Sequence, residues 1–151
     1  TVTETSKVKS GLAAAAGKKK KKRVSGTAQT APLGFDSAMK KGYQLLERGR
    51  VAKAREAFLS AARARPDRPE PHANLGWCSI ESRQYDGAIR FFRKALSVRK
   101  RYSDGLFGLG VAFEKKGNTA EAVKAFTEYL EHHPNGRKAR MIKARLERLT
   151  P

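Results

Sequence analysis

Small and aromatic residues recur along this chain at a fixed interval of 34 residues from Phe35 onward. Three residue classes share the interval: glycine (Gly42, Gly76, Gly110), alanine (Ala54, Ala88, Ala122) and phenylalanine (Phe58, Phe92, Phe126). Self-similarity at a period of roughly 20 to 50 residues is typical of proteins built from repeated supersecondary units. The pattern therefore predicts three units, over residues 35–68, 69–102 and 103–136.

Each unit contains two stretches with helical hydrophobic periodicity, separated by a short polar break. The breaks fall at residues 48–49, 82–83 and 116–118. In the third unit, Asn118 followed by Glu121 has the spacing of a helix N-cap and its reciprocal acid. Each unit is thus predicted to be an antiparallel helix pair, in which the repeated Gly faces the repeated Ala and the Phe closes the space beneath them.

A further helix is predicted after the third unit, within residues 137–151. Its apolar residues, at spacings typical of one narrow helical stripe, are Ala139, Ile142, Leu146 and Leu149. The remaining faces of this helix are mostly basic, and a polar outer face keeps the end of a repeat stack soluble. We predict an all-α fold, an α-solenoid of three helix hairpins closed by a C-terminal capping helix.

The first 34 residues contain almost no large apolar side chains. Such a segment cannot bury enough surface to offset the entropy lost on ordering, so we predict a disordered basic arm or linker. Its cationic run is Lys18, Lys19, Lys20, Lys21, Lys22 and Arg23. The arm and the last segment, 137–151, together carry twelve of the nineteen net positive charges, and the pI is about 10.6.

The repeated motif resembles the tetratricopeptide repeat, whose signature is Trp-x2-Leu-Gly-x2-Tyr, then Ala-x3-Phe, then Pro. The matching residues are Leu75-Gly76, Leu109-Gly110, Phe113 at the Tyr position, and Ala-x3-Phe in all three units. The departures are Lys41 at the Leu position and Leu45 and Ser79 at the Tyr position. The resemblance covers residues 35–136.

Members of this family use the first helices of their hairpins to line a concave groove that binds a partner. Carried over position by position, the resemblance implies a groove of Asp36, Met39, Tyr43, Glu47, Glu70, Asn74, Trp77, Ile80, Glu81, Asp104, Phe107, Val111 and Glu114. This set combines an apolar and aromatic floor with acids, so the expected ligand is a protein or peptide with apolar anchors and basic neighbours. An alternative interpretation is that the acids stabilise helix N-termini and the aromatic rings fill the core.

Some family members hold the acidic C-termini of chaperones with Lys, Asn and Arg at defined groove positions. Only Asn74 matches that set, because Met39, Tyr43, Asp104 and Gly108 occupy the other positions. Asp104 would repel a carboxylate. The resemblance therefore does not imply a chaperone adaptor of that type.

The strong positive charge supports a second hypothesis, a module associated with nucleic acid or an acidic membrane surface. The contacts would come from the run Lys18 to Arg23, the basic capping helix and the cluster Arg90, Arg93, Lys94, Arg99, Lys100 and Arg101. The run could equally be a solvated linker, a nuclear import signal or a segment that occupies the chain's own acidic groove. Self-association stays open.

Enzymatic chemistry has no support in the sequence. The one cysteine, Cys78, cannot form an intramolecular disulfide, and the three histidines are spread along the chain. Phosphate-loop and dinucleotide-binding motifs are absent, as is an apolar run long enough to span a bilayer. We expect no catalytic residues, no metal and no cofactor, and a cytoplasmic location.

Overall fold

The structure is a computed structural model, and it describes residues 33–151. The predicted arm, with its run from Lys18 to Arg23, lies outside the described residues except for Leu33 and Gly34. These two residues precede the first helix and are exposed. The repeated part of the chain is fully described.

Seven helices and no strand make up the described residues. In chain order they are α1 (Phe35–Glu47), α2 (Val51–Ala64), α3 (Glu70–Glu81), α4 (Tyr85–Val98), α5 (Ser103–Lys116), α6 (Thr119–His132) and α7 (Ala139–Leu149). The pairs α1–α2, α3–α4 and α5–α6 pack as hairpins, and each hairpin packs on the next through α2–α3 and α4–α5. The predicted all-α stack of helix hairpins is confirmed, with α7 packed against α6.

A left-handed backbone conformation reverses the chain in each hairpin. The residues are Gly49 (φ 69°), Arg83 (φ 58°) and Gly117 (φ 90°), which occupy equivalent positions in the three units. The start of α6 is capped as predicted, because the Asn118 side chain accepts a hydrogen bond from the backbone N–H of Glu121 at 3.3 Å. The reciprocal bond is not formed. The Glu121 carboxylate instead pairs with Lys124 at 3.2 Å.

The repeated phenylalanines are the centre of each hairpin, since Phe58, Phe92 and Phe126 have no solvent exposure. Each ring lies against the repeated glycine of its own hairpin, and a Cβ atom on Gly42, Gly76 or Gly110 would overlap that ring. This contact agrees with the expectation that the Phe closes the space at the repeated Gly. The glycine is required because the phenyl ring occupies the space of its missing side chain.

The buried side chains form two clusters along the stack. One joins α1 and α2 to α3, and the other runs from α3 to α7. In α7, Ala139 and Ile142 are buried, and Leu146 and Leu149 pack against the second cluster while partly exposed. The apolar stripe predicted for this helix therefore faces the core.

Candidate interaction surface on the first helices

The residues assigned to a groove all lie on the first helix of a hairpin. They are Asp36, Met39, Tyr43 and Glu47 on α1; Glu70, Asn74, Trp77, Ile80 and Glu81 on α3; and Asp104, Phe107, Val111 and Glu114 on α5. Helix α3 contacts α5 directly. The side chains of the predicted groove residues therefore belong to one layer of the stack, and solvent exposure separates them into two groups.

Aromatic and amide groups from this layer reach the surface. Tyr43 is 46% exposed, while Asn74 and Trp77 are half-buried. The remaining apolar members are buried: Met39, Ile80, Phe107 and Val111. We use the name aromatic face for Tyr43, Asn74 and Trp77 together with Phe107, the buried ring that Trp77 contacts.

Tyr43 is held in place by two neighbours. Its hydroxyl accepts a hydrogen bond from Asn74 Nδ2 at 3.0 Å, and its ring meets Phe58 edge-on with centroids 5.4 Å apart. Asn74 Nδ2 also donates to the backbone oxygen of Glu70 at 2.9 Å. Because Asn74 is fixed by its own helix, the exposed tyrosine of α1 is tied to α3.

Trp77 joins the second hairpin to the third. Its ring packs edge-on against Phe92 at 5.1 Å and lies tilted beside Phe107 at 5.7 Å. Phe107 in turn contacts Phe126 at 6.2 Å. Each such aromatic pair contributes about 0.5–1.5 kcal/mol beyond its buried area, so the indole has a fixed position. A fixed, half-exposed indole is a pre-organised anchor for a ligand.

Helix α7 and the residue before it add cations to the same face. Lys138 Nζ lies 4.4 Å from the centre of the Phe107 ring, and the Arg145 guanidinium lies 6.0 Å from it. Arg145 also pairs with Glu114. The sequence reasoning assigned the basic residues of this segment to solubility or to phosphate contacts, and it missed these interactions with the aromatic ring. Lys138 and Arg145 are seven residues apart, about two helical turns, and this spacing was the signal in the sequence that they share one face.

Two of the predicted acids are neutralised within the fold. Arg68 pairs with Glu70 at 2.8 Å, and its hydrogen bond lowers the pKa of that carboxyl. Glu114 is shared by Arg145 and, at 3.7 Å, Arg148. The other acids of the set form no ion pair with any described residue: Asp36, Glu47, Glu81 and Asp104. The predicted groove is therefore less acidic than its composition indicates.

Tyr102 is a second residue that the sequence reasoning missed. It is half-buried immediately before α5, and its ring stacks under the Arg99 guanidinium at 5.5 Å. Burial raises the pKa of its phenol, and Asp104 and Glu70 raise it further. The phenol therefore stays protonated beside Asp104 and Glu70. No repeated position marks it, because it lies in the connection between two units.

The described residues contain no group of three or more His, Cys, Asp or Glu side chains that could hold a metal ion. Burial raises the pKa of the Cys78 thiol to about 11, so at neutral pH the group is a packed thiol rather than a nucleophilic thiolate. Among the described helices, none has the length and apolarity needed to cross a bilayer.

The cationic cluster of the second hypothesis is exposed: Arg90, Arg93, Lys94, Arg99, Lys100 and Arg101. Two of its members are nevertheless engaged with aromatic rings. Arg93 lies 5.6 Å from the centre of Phe113, and Arg99 lies on Tyr102. These two guanidinium groups stabilise the fold in addition to carrying charge.

Models of the tetratricopeptide repeat match residues 39–105 and 79–146. The matches overlap and together span the three hairpins, apart from the first four residues of α1, and most of α7. The chain belongs to the tetratricopeptide repeat family. A search of curated proteins finds no match.

Solved structures share the fold at low sequence identity. The first tetratricopeptide domain of Spaghetti (RPAP3), bound to an HSP90 peptide, is 18% identical with a TM-score of 0.72, covering 80% of this chain and 93% of its own. The TPR2B domain of yeast Sti1, in a complex with an Hsp70 peptide, is 15% identical with a TM-score of 0.73, covering 77% and 95%.

A bacterial protein shows the same similarity. SycD, the type III secretion translocator chaperone of Yersinia enterocolitica, is 18% identical with a TM-score of 0.71, covering 76% of this chain and 82% of its own. At these identities the comparison establishes the fold. The comparisons lend no support to contact with nucleic acid or lipid.

Proposed function

We propose that this chain is a non-enzymatic scaffold that binds a peptide segment of a partner protein on the aromatic face. One observation carries the proposal: Tyr43, 46% exposed, is fixed by Asn74 on the same layer as the half-exposed Trp77. Large rings presented rigidly at a surface are typical anchors of protein interfaces. Two structurally similar domains hold chaperone peptides, which supports a peptide as the ligand class.

The chemistry of the face favours a peptide with apolar anchors and basic neighbours. The apolar anchors would pack on Tyr43 and Trp77, and the basic side chains would meet acids that form no ion pair with residues 33–151, such as Glu47 and Glu81. A chaperone C-terminus is not the proposed ligand. Related domains bind the carboxylate of such a C-terminus with a cation at the position where this chain has Asp104. Where those domains have Lys and Asn, this chain has Met39 and Tyr43.

Trp77 is the only tryptophan of the chain and therefore reports directly on the aromatic face. We would select peptides from a random library displayed on phage against the full 151-residue chain and titrate them while following Trp77 emission. The expected result is a saturable change in emission. Tyr43→Ala should weaken binding about tenfold, which is the loss of about 1.4 kcal/mol expected for an aromatic anchor.

Met141→Ala is the matched control, because Met141 is 49% exposed and lies on α7 outside the aromatic face. Met141→Ala should bind the selected peptides with the same affinity as the unmodified chain. Selected peptides that bind Tyr43→Ala as well as the unmodified chain, or that leave Trp77 emission unchanged, would refute the proposed location. Basic residues should also be enriched among the selected peptides, and their absence would refute the proposed ligand chemistry.

A further inference from the structure

The second and third hairpins differ in one residue of their first helices. Phe113 is buried beneath Arg93, whereas the equivalent position in the second hairpin is Ser79. The Ser79 hydroxyl donates to the Leu75 oxygen at 2.9 Å and accepts from Arg55 at 3.2 Å. A cavity of about 850 Å³ lies beside Ser79, and residues of α2, α3, α4 and the end of α5 line it. We call it the Ser79 cavity.

The lining of the Ser79 cavity is strongly cationic. Its basic side chains are Arg55, Arg83, Arg90, Lys94 and Lys116, and its one carboxylate is Asp86. Asp86 pairs with Lys116 at 2.6 Å, which leaves four cations without an anionic partner in the lining. Cations that converge on a concave space reinforce each other's field, so the cavity attracts an anion.

One of these cations is held by a strained backbone. Arg83 has φ 58°, in the left-handed region, and the other hairpins have Gly49 and Gly117 at the same position. A side chain in this conformation costs roughly 1–2 kcal/mol. The second hairpin bears this cost and thereby places a guanidinium at the cavity. Strain of this kind is typical of functional sites.

The N-terminus of α4 also lies at the cavity, through residues 85–87. The N-cap residue Gln84 makes no side-chain hydrogen bond to these first amides, and the first intrahelical bond is from Ala88 to Gln84 at 2.9 Å. A Cβ atom on Gly87 would make only ordinary contacts, with Ser79 Oγ at 3.7 Å and Arg90 Nη2 at 3.8 Å. Unpaired amides at a helix start beside a guanidinium are the arrangement that binds phosphate groups.

A buried histidine supplies an independent indication. His72 lines the cavity, is only 9% exposed, and its Nε2 atom has no hydrogen-bond partner among the described residues. Burial, and then Lys94, lower the pKa of its imidazole, so the ring is neutral near pH 7. A buried polar atom without a partner costs about 1–3 kcal/mol. Because the Nε2 atom has almost no accessible surface, a ligand oxygen would accept a hydrogen bond from it only after the neighbouring side chains move aside.

We infer that the Ser79 cavity binds the phosphate group of a phosphate monoester. A phosphate dianion offers several acceptor oxygens, which match the guanidinium groups, the amides of α4 and His72. The group could belong to a small phosphorylated molecule or to a phosphorylated side chain of a protein. The site is separate from the aromatic face, because its lining contains none of the residues of that face.

The first test titrates inorganic phosphate into the full chain at constant ionic strength, with amide and imidazole NMR signals as the readout. The Gly87 amide signal should shift saturably. The pKa of His72 should rise, because a bound dianion favours the imidazolium form. Shifts that grow linearly, or that are spread equally over the exposed residues 99–101, would overturn the inference by showing diffuse attraction.

Gly87 provides the matched pair of variants. Gly87→Glu places a carboxylate in the cavity and should weaken phosphate binding at least about tenfold. Gly87→Ala should bind within about twofold of the unmodified chain, because its Cβ would have only ordinary contacts. Both variants sit in a helix and are checked by thermal unfolding. Binding by Gly87→Glu equal to that of Gly87→Ala would overturn the inference.

Arg90 and Arg93 form a second pair on the same helix. Arg90→Gln removes a cation from the lining and should weaken phosphate binding about tenfold. Arg93 contacts Phe113 and does not line the cavity, so Arg93→Gln should leave phosphate binding unchanged. Equal effects would overturn the inference. Free phosphoserine and a phosphoserine peptide then distinguish the two sources. Tighter binding of the peptide assigns the site to phosphorylated proteins, and equal binding assigns it to small molecules.

Discussion

The second and third hairpins follow the same plan in their interior and differ at two positions nearby. Both place a buried phenylalanine against a glycine, Phe92 on Gly76 and Phe126 on Gly110. The third hairpin fills the Tyr position with Phe113 and turns on Gly117. The second has Ser79 and the strained Arg83 at these two positions, and a cationic cavity opens there.

This difference separates two kinds of residue within one repeat. Positions that keep their identity at every 34-residue interval hold the helices together, since each ring occupies the space beside the glycine of its own hairpin. Positions that vary create surface features. The aromatic face follows the same rule, because Tyr43, Trp77 and Val111 are equivalent positions with different exposure.

The largest effects are expected where the hairpins agree. Phe92→Ala and Phe126→Ala should each lower the free energy of unfolding by about 3–5 kcal/mol, since each removes a fully buried ring. The loss should be greater for Phe92, which also contacts Trp77 and lies against Gly108 of the next hairpin. Urea denaturation of both variants measures the difference. A smaller loss for Phe92→Ala would contradict the shared plan.

Two glycines should respond in opposite directions to alanine. Gly110→Ala forces a methyl group into the Phe126 ring and should cost about 1–3 kcal/mol. Gly87→Ala meets no close contact inside α4 and should stabilise the chain by about 0.5–1 kcal/mol. Denaturation midpoints of the two variants provide the comparison. Equal destabilisation would show that helix packing is tight around both glycines.

A substitution at the turn of the second hairpin should change stability and phosphate binding in opposite directions. Arg83→Gly relieves the left-handed strain and should raise the free energy of unfolding by up to about 1 kcal/mol. The same variant should weaken phosphate binding, because the cavity loses one of its cations. Gly117→Arg, the reverse change in the third hairpin, should destabilise the chain without creating a phosphate site. A gain in both properties for Arg83→Gly would contradict this interpretation.

The smallest effect is a pH dependence that His72 should produce. Its pKa is lowered in the folded chain, so the unfolded chain binds more protons below the ordinary value of 6.5. Stability from this group is therefore complete above pH 6.5 and declines as the pH falls toward the lower folded pKa. Denaturation at pH 7 and 5.5 should show a decline that is smaller in His72→Phe. An identical decline in the unmodified chain and in His72→Phe would contradict this role of His72.

The sequence predicted what repeats and missed what does not. The interval of 34 residues predicted the three hairpins, and the spacing of Asn118 and Glu121 predicted the N-cap, because each depends on local chemistry. The interval did not show how fully each Phe ring fills the space of the glycine side chain, since a repeat pattern does not indicate which atoms touch. Lys138 and Tyr102 were missed because they lie in connections, where their partners are set by tertiary packing. The Ser79 cavity was missed because its cations come from three helices and a turn that only the fold brings together.

Binding at the aromatic face is tested most directly by the side-chain NMR signals of the chain with a selected peptide bound. Peptide binding between Tyr43 and Trp77 should shift the Trp77 indole N–H and the Tyr43 ring signals and leave the Met141 methyl signal in place. A peptide that shifts Met141 and leaves the indole unchanged would contradict the proposed role of the first helices.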